Sequence, residues 1–99
     1  MSNSLFDHQV LERRIVETLL EHARQRRTKG RYAEAERISK KALDRAEAVT
    51  GKSSLLTGLV LMELLDLYDK QGREEESEAL WHRIRDILLL ATFLKNKLH

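Results

Sequence analysis

The sequence predicts an all-α fold of about four helices, and three observations carry that expectation. Proline is absent, and four glycines, two tyrosines, two phenylalanines and one tryptophan in 99 residues leave few turn formers and few strand formers. Apolar residues recur at three- and four-residue spacing through four stretches of chain. Gly30, Gly51 and Gly72 fall between those stretches, where a helix end commonly needs the left-handed backbone that glycine adopts without strain.

The first helix is expected over about 5–28. Ser4, three residues before Asp7, reads as a capping box, and Leu5, Phe6, Val10, Leu11, Ile15, Val16, Leu19, Leu20 and Ala23 form its stripe. The second, over 31–49, has a weaker stripe of Tyr32, Ala35, Ile38, Ala42, Leu43, Ala46 and Val49, whose small members permit close approach of a neighbour. Gly51 breaks it, and Ser53 or Ser54 can cap a third helix over 54–71. Apolar residues cover most of that helix, from Leu55 and Leu56 through Leu64 to Tyr68, so it is expected to be the central one. After Gly72 a fourth helix over 74–95 carries Ala79, Leu80, Trp81, Ile84, Ile87, Leu88, Ala91 and Leu94.

Composition narrows the function classes. A length of 99 residues and 41% hydrophobic content fit one helical domain over 1–99. Without cysteine there is no disulfide, thiolate metal site or cysteine nucleophile. The net charge of +2 gives a weak electrostatic drive toward nucleic acid or anionic membrane. The N-terminal stretch MSNSLFDHQVLERR lacks the basic start and apolar core of a leader, and no uncharged apolar run approaches the ~20 residues of a membrane span. A cytoplasmic protein that does not bind membrane is the expectation.

The second half repeats the first. Lys29-Gly30-Arg31-Tyr32-Ala33-Glu34-Ala35-Glu36 returns as Gln71-Gly72-Arg73-Glu74-Glu75-Glu76-Ser77-Glu78, a shift of 42 residues from Gly30 to Gly72. Each copy then holds an antiparallel helix pair, and the copies should stack as in an α-solenoid, with repeats at about 12–50 and 54–95. These residues resemble the tetratricopeptide repeat, and the spacing is similar to the longer variety found in kinesin light chains. The first copy matches through Gly30, Tyr32, Ala35, Ala42 and Leu43, the second through Leu64, Tyr68, Gly72, Ser77 and Trp81. The chain departs from the family at His22, Arg26 and Ile84, and in lacking the proline common before a repeat.

The resemblance implies a non-enzymatic interaction module, an adaptor or scaffold whose first helices line a concave face for a peptide or helix of another protein. The family's inward positions fall on Glu17, Leu20, Arg24 and Arg27, then on Leu59, Met62, Asp66 and Asp69. Equivalent positions of successive repeats are neighbours, so Arg24 should sit beside Asp66 and Arg27 beside Asp69, either as ion pairs between repeats or as a mixed-charge groove. The lysine and asparagine clamp with which some family members hold a terminal carboxylate is missing, asparagine occurring only at Asn3 and Asn96.

A second function class follows from the fourth helix. Ile87, Leu88, Leu89, Leu90, Phe93 and Leu94 point in several directions around a helix, more apolar surface than one repeat can cover. Ile87, Leu89, Leu90, Phe93 and Leu94, joined by Phe6 and Val10 of the first helix, are therefore expected to form a symmetric homodimer contact or to receive a partner helix, unless the long first helix folds over that face. Arg24, Arg26, Arg27, Lys29 and Arg31 form a basic cluster, but no aromatic side chain interleaves its first four members for base stacking, so nucleic acid is not an expected partner. Thr50-Gly51-Lys52-Ser53 has the ending of a phosphate loop but neither its earlier glycine nor a preceding strand, and reads as a helix end and a cap. His8, His22, His82 and His99 match no metal-ligand spacing, and no cofactor, metal or catalytic set is expected.

Overall fold

In the computed structural model the described residues are 4–97, with side chains from Asp7 onward. Four helices follow in order: α1 Ser4–Thr28, α2 Tyr32–Thr50, α3 Leu55–Lys70 and α4 Glu74–Lys97. The described residues contain no strand. The boundaries lie within two residues of those read from the spacing. The Ser4 cap, Phe6, Asn3 and His99 lie outside the described side chains.

Both helix pairs close with the same turn. Gly30 and Gly72 sit at φ of 77° and 69°, the region where a side chain would be strained. The next residue's N–H then reaches five residues back: Arg31 to the Arg26 carbonyl at 2.8 Å, Arg73 to the Tyr68 carbonyl at 2.9 Å. The α2–α3 connection is built differently. Gly51 caps α2 at a φ of 91°, the Ser54 side chain accepts a hydrogen bond from the Thr57 N–H, and buried Thr57 donates its hydroxyl to the Gly51 carbonyl at 2.7 Å. The phosphate-loop-like run is thus a helix stop, with Ser54 and not Ser53 as the cap.

Helix α3 is central, touching α1, α2 and α4. Val16 and Leu20 of α1, Ala42 and Ala46 of α2, and Leu56 and Val60 of α3 make one buried cluster. Ala35 with Leu64, Leu67 and Tyr68 makes a second, and Leu61 with Ile84 and Ile87 a third. The alanines of α2 let the hairpins approach, and Gly58 does the same for α4: a Cβ there would lie 3.4 Å from Ile87 Cγ2.

Two expectations are corrected by this packing. Leu20 and Ile87 are each 3% exposed, so Leu20 is a core residue and no part of a binding wall, and Ile87 is a core residue that reaches the surface only at the floor of the groove between α3 and α4. Both lie on the side of their helix turned toward α3, where a step of one residue, about 100° of rotation, decides between core and surface. The molecule's shortest extent is 17 Å, less than two helix diameters of ~10–12 Å, so most helices keep one face in solvent. Helix α1 does not fold over α4; it lies on α2 and α3.

Candidate functional site

The first surface to consider is the one where α1 meets α3. Glu63 is the only charged residue between Leu55 and Leu65, and its side chain is 2% exposed. A carboxylate at that depth is tolerable only when paired. Arg27 donates from Nε to Oε2 at 2.6 Å and from Nη2 to Oε1 at 3.4 Å, and Arg24 Nε stands 3.5 Å from Oε1. The bond to Glu63 raises the Arg27 pKa against the opposing effect of burial, with Asp66 adding a smaller attraction.

The expected pairs Arg24 with Asp66 and Arg27 with Asp69 do not form; both arginines converge on Glu63, one helical turn before Asp66. Sequence reasoning missed Glu63, although a lone acid inside an apolar run was a signal that a partner had to come from elsewhere.

Two further ion pairs join the hairpins. Arg83 of α4 donates to Glu47 of α2. At the closed end, Arg73 binds Glu36 and Glu76 while its guanidinium lies 4.2 Å from the centre of the Tyr68 ring, and Lys40 reaches Glu36 at 2.8 Å. The bond from Arg73, aided by Lys40, lowers the Glu36 pKa from 4.5 to about 2 against the cost of burial. A depressed carboxylate pKa contributes stability above the unfolded value and loses it as pH falls toward the folded one. Unfolding free energy should therefore be steady from pH 7 to 5 and fall between pH 4.5 and 2. About 1–2 kcal/mol of that fall should disappear in Glu36→Gln, compared by urea titration at each pH.

The second surface is apolar. Between α3 and α4 lies an open groove of about 250 Å³, lined by Leu55, Gly58, Leu59 and Met62 on one side and Ile84, Ile87 and Leu88 on the other. Leu55, Leu59, Met62 and Leu88 are each about half exposed or more. Next to it, Trp81 shares a shallow depression with Leu65, Asp69, Ser77 and Glu78. The outer face of α1, at the other end of the molecule, is polar from Arg14 to Gln25, with Glu17, Thr18, Glu21 and His22 between them, and its exposed apolar residues are Val10 and Leu11 nearer the helix start.

A family model for the tetratricopeptide repeat matches residues 14–87. The chain belongs to the tetratricopeptide repeat family. No curated protein and no solved structure matches it.

The tetratricopeptide repeat residues named from the resemblance therefore divide. Leu59 and Met62 line the apolar groove, and Asp69 borders Trp81. Arg24 and Arg27 are held by Glu63. Asp66 is exposed near Arg27, Leu20 is buried, and Glu17 belongs to the polar outer face of α1. Among the fourth-helix residues, Leu89, Leu90, Phe93 and Leu94 are exposed by 43% to 61%.

The basic cluster is largely committed to carboxylates: Arg24 also faces Glu21, Arg26 faces Glu34 at 3.1 Å, and Arg31 faces Glu34 at 3.9 Å. No helix among the described residues is long and apolar enough to cross a membrane. Those residues contain no cluster of three histidine, aspartate or glutamate side chains able to hold a metal ion.

Proposed function

We propose that this tetratricopeptide repeat chain is a non-enzymatic adaptor whose groove between α3 and α4 receives an amphipathic helix of a protein partner. The α1–α3 wall, with Asp66 and the arginines around Glu63, forms the polar margin. The observation that carries the reading is internal to the molecule. Val16, Leu20, Ala42 and Ala46 of the first hairpin enclose Leu56 and Val60 of the helix that follows. Counting from Gly30 to Gly72, their counterparts in the second hairpin are Gly58, Met62, Ile84 and Leu88, and these line the open groove. A surface that holds a helix in one hairpin is thus repeated in the next with no helix on it among the described residues, and helix-in-groove docking is the interaction it suits.

The exposed Leu89, Leu90, Phe93 and Leu94 favour a second reading, in which this end of the molecule serves mainly self-assembly.

The test is a photo-cross-linking amino acid placed at Leu59 in the groove or at Gln25 on the polar face, irradiated in the source cells. Protein adducts concentrated at Leu59 and lost on adding Met62→Asp are expected. Equal labelling at both positions, or none at Leu59, would overturn the docking assignment.

A further inference from the structure

We infer that the occupant of the α3–α4 groove is a second copy of this chain, packed antiparallel about a two-fold axis; this rests on the docking reading above and names its partner.

Charge complementarity selects this occupant. Helix α4 is acidic at its start and basic at its end: Glu78 shares the depression beside the groove with Trp81 and Asp69, and Lys95 lies in the last turn of the helix. Lys95 and Asp69 make no ion pair among the described residues, and Glu78 meets only His82, at 3.6 Å. Within one chain the ends cannot meet, because 17 residues of helix separate Glu78 from Lys95, or ~25 Å. A copy turned end for end brings them together twice, Lys95 of each against Glu78 of the other.

The two helices agree on where the axis falls. On α4 the midpoint between Glu78 and Lys95 lies between Asp86 and Ile87. On α3 the midpoint between exposed Leu55 and Met62 lies between Gly58 and Leu59. Those points are at the same level, since Gly58 packs directly against Ile87. An axis there sets Leu55 of one copy against Met62 of the other, with Leu59 and Leu88 close to the centre. A head-to-tail array would instead lay the groove along the outer face of α1, which is polar from Arg14 to Gln25 and carries exposed apolar side chains only at Val10 and Leu11, too few to match the length of the groove. A closed isologous pair is what one apolar end and one polar end allow.

Sedimentation velocity of the purified full chain at ~10 μM tests this, with far-UV circular dichroism to verify folding of each variant. The wild type should sediment as a dimer and Leu59→Asp as a folded monomer. Glu78→Lys and Lys95→Glu should each weaken the dimer roughly 5- to 10-fold. Mixing those two variants should restore wild-type affinity, because every cross-axis contact is then between opposite charges. A wild-type monomer, a dimer unaffected by Leu59→Asp, or a mixture no tighter than its components would overturn the proposal. A monomer that still gives Leu59 adducts with other proteins would leave the docking function standing and remove only the self-partner.

Discussion

Replacing Glu63 by alanine should cost about 3 kcal/mol of folding free energy, a large share of the ~5–10 kcal/mol expected for a chain of this size. The carboxylate receives both Arg27 bonds and faces Arg24, and Arg27 is itself only 18% exposed. Its removal leaves a guanidinium in a site that no longer has a counter-charge and that water reaches poorly. Urea denaturation at pH 7 measures the loss, which should appear in thermal melts as a drop of ~10–20 °C. A double variant, Arg27→Met with Glu63→Leu, should be markedly more stable than Glu63→Ala, because taking out both charges removes the unpaired group along with the pair. If the double variant were as unstable as the sum of its single changes, the clamp would not be what holds α1 on α3.

Leu61→Ala should cost about 3–4 kcal/mol, and Leu59→Ala, two residues earlier, less than about 1 kcal/mol. Leu61 is fully buried against Ile84 and Ile87, where deleting three carbons leaves a cavity that the two hairpins are not free to close. Leu59 is 51% exposed and lines the open groove. The same pair should invert in a binding or self-association measurement: Leu59→Ala reduces capture while the fold is retained. Equal destabilisation by the two changes would mean that the groove is part of the closed core.

Much of this architecture is legible in the one-dimensional pattern. The helix ends follow from Gly30, Gly51 and Gly72, and the central position of α3 follows from apolar residues around most of its circumference. The family is legible too, because the turn chemistry recurs at Gly30 and Gly72 and the spacing of the small and aromatic residues follows with it.

The candidate surface is less so. Period alone places Leu20 and Met62 at matching positions, yet α3 lies on the first and nothing among the described residues lies on the second. A position in a repeat is buried or open according to which helix packs on it. Likewise Ile87, Leu88 and Leu89 are consecutive apolar residues that only the docking of α4 on Gly58 separates into core and surface.

What the sequence by itself determined was local: where backbone turns, which stretches are helical, and that the helices come in two similar pairs. Those features depend on glycine conformations and on side-chain spacing within a single turn or helix. Only the tertiary structure decided which carboxylate the arginines of α1 find and which apolar stripe stays uncovered. The axial offset between α1 and α3 is set by packing of the Val16, Leu20 and Val60 side chains, and a shift of one helical turn exchanges Asp66 for Glu63.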